Sequence, residues 1–144
     1  MVNNRIVSRY EGVLPNGTNA SRGIPGGPLY SMGEILSILA GGSDAIRAWT
    51  KKCVVDMQKW SLDDADVYEL IEMAVRSGRF IGSEWCQQNS NGSWAACDAY
   101  QVTRNEWLDT TRKYMDCDYY LKFAIGKQGN LLLVVSCHPP EDRS

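Results

Sequence analysis

No apolar stretch in this chain approaches the roughly 18–20 residues that a bilayer-crossing helix needs, so a membrane span is not expected. The N-terminus has no charged-then-apolar leader pattern, which points to a cytoplasmic protein. Cysteines are few and odd in number: Cys53, Cys86, Cys97, Cys117 and Cys137, with no C-x-x-C pair. That spacing predicts small buried hydrophobes in a reducing compartment, with neither a zinc site nor a disulfide framework and no cofactor. There is no excess of positive charge either. Fifteen Lys and Arg face seventeen Asp and Glu, for a net charge of −2 and a pI of about 5.4. A general nucleic-acid binder is usually strongly basic, so any RNA contact has to rest on a local basic patch. Histidine is scarcest of all, with His138 standing alone.

What is present suits one ordinary globular domain: 144 residues, 44% hydrophobic and 22% charged. Residues 1–28 differ from the rest. Between Gly12 and Pro28 lie three prolines, five glycines and two asparagines. So few apolar side chains do not offset the entropy of ordering, which predicts a flexible or extended arm, dispensable for folding, before a single domain over residues 29–144. In that domain Ser31 and Glu34 form a capping box before Ile35, Leu36, Ile38 and Leu39. A second helix is expected over Ser43–Lys59, with Ile46, Trp49, Cys53 and Met57 at helical spacing. A third is expected over Leu62–Ser77, with acidic residues at its start and Gly78 as its stop. Strands follow: Arg79–Cys86, a turn at residues 89–92, Ser93–Thr103, then Tyr119–Gly126 and Leu131–His138 around a second turn. Residues 104–117 are charged and read as a loop or short helix. The expected class is α+β, with three N-terminal helices packed on a C-terminal antiparallel sheet of about four strands.

The last hairpin carries the chemistry. A two-residue loop pairs Tyr119 with His138 and mixes polar and apolar side chains on both faces. A three-residue loop pairs Tyr120 with His138, gathers Leu121, Phe123 and Ile125 with Leu131, Leu133, Val135 and Cys137, and is preferred. Tyr120, Lys122, Ser136 and His138 then share the opposite face. Histidine moves protons near neutral pH, tyrosine hydrogen-bonds or relays them, and lysine steadies a phosphate. Together they suit attack of a ribose 2′-hydroxyl on its neighbouring phosphate, without a metal. The bland alternative is a solvated sheet face, where Tyr, Lys and Ser are common.

Residues 79–83, Trp94 with Asp98-Ala99-Tyr100, Tyr120-Leu121-Lys122 and residues 134–138 together resemble the strands of the MqsR toxins. These are RelE-like messenger-RNA interferases of bacterial toxin–antitoxin systems, and the resemblance runs roughly from Tyr30 to His138. It implies a metal-independent, sequence-selective endoribonuclease of RelE-like fold, held silent by an antitoxin protein. Tyr120 matches a catalytic tyrosine of the family, and His138 stands where the family commonly has a lysine. Trp94 and Tyr100 are expected to stack bases, and Arg104, Arg112 and Lys113 to hold phosphates. The chain departs from the pattern twice: Gly82 stands near the family's first-strand lysine, and Cys97 near its glutamine. Those departures and the acidic pI support a second reading, a non-catalytic binding protein such as a phage- or plasmid-borne inhibitor of another protein.

Overall fold

The structure is a computed structural model of the chain and describes residues 5–15 and 21–140. Ser31 accepts the Glu34 N–H at 3.1 Å and starts α1 (Met32–Leu39), which buries Ile35 and Leu39. Asp63 and Asp66 cap one another reciprocally at the start of α3 (Asp64–Ser77), which buries Val67, Leu70, Ile71 and Ala74 at helical spacing. The expected second helix is instead three pieces: a 3₁₀ turn at Ser43–Ala45, strand β2 at Ile46–Ala48, and α2 at Lys51–Lys59. Thr50 sets that break. Its hydroxyl accepts the Cys53 N–H at 3.0 Å and donates to the Val135 carbonyl at 2.6 Å. An N-cap residue is extended, so the helix cannot begin before it, and the preceding residues are left to pair as a strand.

The class is α+β, but the sheet is larger than expected. It has six strands in the order β1-β3-β4-β5-β6-β2, where β1 is Gly23–Ile24, β3 Arg79–Gln87, β4 Trp94–Leu108, β5 Lys113–Ile125 and β6 Leu132–His138. It is also mixed, because β2 runs parallel to β6 while the other pairs are antiparallel. Strands as short as β1 and β2 carry too few residues to show an alternating pattern in sequence, so an expectation of about four strands misses them. Residues 104–117 are no loop: apart from a tight turn they are the far halves of β4 and β5, paired as far as Leu108 and Lys113.

Helices α1 and α3 cover the face carrying Tyr100, Val102, Leu121, Phe123, Ile125 and Val134, all of them core residues. The sheet curls away from the helices. Four inter-strand steps separate β3 from β2, about 19 Å in a flat sheet. Yet the Gln88 side-chain amide, just past β3, donates to the Trp49 carbonyl, just past β2, at 2.8 Å. The face that Gln88 continues, with Glu84 and Cys86, is therefore the concave one.

The described parts of the N-terminal segment are built into this sheet. Pairing between β4 and β5 stops at Asp98 and Phe123, and residues 5–9 fill the gap that opens beyond. On one side the Val7 N–H donates to the Trp94 carbonyl and the Trp94 N–H to the Arg5 carbonyl, both at 2.8 Å. On the other the Arg9 N–H donates to the Ile125 carbonyl at 2.7 Å and the Lys127 N–H to the Val7 carbonyl at 2.9 Å. Ser8 is fully buried and accepts the Ala96 N–H. Residues 1–4 and 16–20 of the expected arm lie outside the described residues.

Candidate functional site

The concave face opposite the helices brings the hairpin residues together. Tyr120 pairs directly with His138, and Lys122 with Ser136. The Tyr120 and His138 ring centroids stand 6.3 Å apart, at 47°. Neither of the two registers weighed from the sequence holds along the whole hairpin. Ile125 pairs with Leu132 and Phe123 with Val134, after which a bulge at Val135 shifts β6 by one residue. Near the turn it is therefore Leu132 and Val134 that face the helices, while Leu133 opposes Ala124 on the concave side. Past the bulge, Cys137 returns to the core and His138 to the concave face.

The Nδ1 atom of His138 lies 2.7 Å from the Pro139 carbonyl oxygen. A carbonyl only accepts, so Nδ1 carries the hydrogen, and a neutral ring keeps its basic lone pair on Nε2. The Lys122 ammonium lies 2.8 Å from Glu84 on β3. Burial disfavours the charge on Lys122, but the Glu84 carboxylate outweighs it and holds the lysine above its ordinary range. Cys86 and Cys97, diagonal neighbours on β3 and β4, lie close to this ion pair. Both are free thiols: a hydrogen bond from Cys97 and the positive charge of Lys122 lower the Cys86 thiol against the effect of burial, while the fully buried Cys97 is raised.

The residues expected to hold RNA are scattered. Trp94 is only 7% exposed, with the Arg22 guanidinium 5.1 Å from its ring. Tyr100 is equally buried, sandwiched between Phe80 and Phe123 on the helix side of the sheet, and burial followed by the nearby Asp98 pushes its hydroxyl up to about 12. The helices cover Tyr100 and the N-terminal segment covers Trp94, and neither cover is visible in the local sequence. Arg104 meets three carboxylates, Asp66 at 3.2 Å, Glu69 at 2.9 Å and Glu106 at 2.8 Å, and joins β4 to α3. Of the three cations expected to hold phosphates, Arg112 and Lys113 are exposed, at the tip of the β4–β5 ribbon, beside the exposed ring pair Trp107 and Tyr114.

Two residues on the concave face were not singled out from the sequence. Arg79 pairs with Gln101, and Gln101 with Tyr120, so Arg79, Gln101, Tyr120 and His138 form one row across four strands. Their signal lies in strand pairing, hidden by a second bulge at Ile81 that moves Arg79 from opposite Val102 to opposite Gln101.

Among the described residues no three His, Cys, Asp or Glu side chains are grouped to hold a metal ion, and no helix is long and apolar enough to cross a membrane. Comparisons with protein-family models, with curated proteins and with solved structures find no match to this chain.

Proposed function

We propose that the protein is a metal-independent endoribonuclease, an MqsR-like toxin neutralised by an antitoxin protein, with its reacting groups on the concave face. The observation that carries this reading is the direct pairing of Tyr120 with His138 on the side the helices leave open. His138 accepts the proton of a ribose 2′-hydroxyl through Nε2. The 2′-oxygen bonds to phosphorus, the bond from phosphorus to the 5′-oxygen breaks, and Tyr120 hydrogen-bonds the departing oxygen, which takes up a proton from solvent water. Lys122 contributes positive charge beside the phosphate once it is released from Glu84. His138→Ala is expected to lower cleavage of single-stranded RNA by ~10²-fold or more, with Tyr120→Phe milder. Products should end in a 2′,3′-cyclic phosphate and form equally well in chelator. Full activity in His138→Ala refutes the assignment of the base.

The second reading, a non-catalytic inhibitor of another protein, is favoured by the fate of the cations. Lys122 and Arg104 are both tied to carboxylates, and Trp94 and Tyr100 are unavailable for stacking. Expression alone and together with a neighbouring open reading frame separates the two. Toxicity relieved by the neighbour supports the ribonuclease, and harmless overexpression supports the inhibitor.

A further inference from the structure

We infer that Arg79 and Gln101 form a phosphodiester-binding subsite that adjoins the Tyr120–His138 pair, an inference that rests on the ribonuclease reading. The four residues stand in register on one face of β3, β4, β5 and β6. The row spans about 14 Å, three inter-strand steps. The Arg79 guanidinium donates to the Gln101 side-chain oxygen. That engages the amide oxygen and leaves the NH₂ group as the donor for a ligand. Among the described residues Arg79 has no carboxylate partner, unlike Lys122 on Glu84 and Arg104 on its three acids. It is exposed, so among the described residues a bound phosphate does not compete with an internal ion pair at Arg79. A guanidinium presents two parallel N–H donors to two phosphate oxygens, a geometry an ammonium lacks.

The backbone around the row fits this role. Gly78 precedes Arg79, and a Cβ there would lie 2.7 Å from the Ala74 carbonyl oxygen and 2.8 Å from that of Gln101. The absence of that carbon lets the end of α3 press against β4 and places Arg79 beside Gln101. In the next row Gly82 pairs with Ala99 and Ala99 with Lys122, and a Cβ on Gly82 would meet nothing within 4 Å. The sheet surface beside Arg79 is thus low and open, with room for the sugar and base attached to the phosphate.

The test separates binding from cleavage. Binding of a single-stranded RNA oligonucleotide methylated at every 2′-oxygen, and therefore uncleavable, is measured by fluorescence anisotropy across a salt series. Cleavage of the unmethylated oligonucleotide is measured in parallel. Arg79→Ala should weaken binding roughly 10-fold or more. It should reduce the salt slope by about one and raise KM more than it lowers kcat. Arg79→Lys should restore the salt slope and only part of the affinity, and Gln101→Ala should show a smaller loss. Unaltered affinity and salt slope in Arg79→Ala overturn the subsite, as does failure of the wild type to bind. Binding that depends on Arg79 without any cleavage by the wild type upholds the subsite and refutes the ribonuclease.

Discussion

Asp98 is fully buried and takes its hydrogen bonds from neutral donors: the Leu29 N–H at 3.0 Å, the Tyr30 N–H at 3.1 Å and the Ser83 hydroxyl at 2.6 Å. One carboxylate thereby ties the chain entering α1 to two strands of the sheet. Asp98→Ala leaves three donors without an acceptor and should cost roughly 3 kcal/mol or more, read as a lower urea midpoint. Ser83→Ala removes one donor and leaves the other two satisfied, so it should cost only about 1 kcal/mol. Comparable losses in the two variants would show that Asp98 is not the hub. In the sequence Asp98 is one acid among seventeen, and nothing local marks it as buried. Its neighbours Leu29 and Tyr30 are nearly seventy residues away along the chain.

At the scale of elements the N-terminal segment reverses its expected role. Its composition predicts dispensability, yet residues 5–9 supply backbone partners to both β4 and β5 where those strands part. Ile6, Tyr10, Leu14, Ile24 and Leu29 also pack against the cluster of Trp85, Trp94 and Ala96. Removing residues 1–10 takes away the four inter-strand hydrogen bonds and the Ser8 contact to Ala96, a loss of roughly 3–5 kcal/mol. The truncated protein should show a markedly lower melting temperature, and an unchanged one would restore the dispensable arm. Composition misleads here because an extended segment is stabilised by the edges it meets rather than by its own side chains. The helices were more legible. Ser31 and Asp63 announce α1 and α3 through caps that act within a few residues, whereas α2 depends on Thr50 reaching Val135 far along the chain. The outer β4–β5 ribbon is not legible because beyond Gln101 and Tyr120 each strand has only the other as a neighbour, so its side chains are mostly solvated and show no apolar alternation.

For the molecule as a whole, buried acidic groups set a limit at high pH. Burial pushes the Cys53 and Cys137 thiols up from 9.0 to about 12, helped by Asp56 beside Cys53 and by Cys53 beside Cys137. An unfolded thiol loses its proton from about pH 9, while the folded one keeps it to about pH 12. In that window the unfolded state binds fewer protons, so stability falls as pH rises. The melting temperature should therefore decline from about pH 9 upward. Cys53→Ala with Cys137→Ala should start lower and decline less steeply, leaving Cys97 and the buried tyrosines, among them Tyr100 raised from 10.0 to about 12, to act. An equal slope in both proteins would remove the thiols as its cause.

Local sequence signals suffice for the α+β class, the two capped helices and the hairpin around residues 127–130. Each follows from contacts within a few residues or from the two-residue period of a strand. Long-range packing alone sets the six-stranded mixed order, the burial of Trp94 and Tyr100, the pairing of Tyr120 with His138 beyond the Val135 bulge, and the row that joins Arg79 and Gln101 to the hairpin. The physical reason lies in the bulges at Ile81 and Val135. Each adds one residue to one strand, and one residue exchanges the faces of everything beyond it. Where such an insertion falls is settled by the packing of the whole sheet against its helices, which no local pattern encodes.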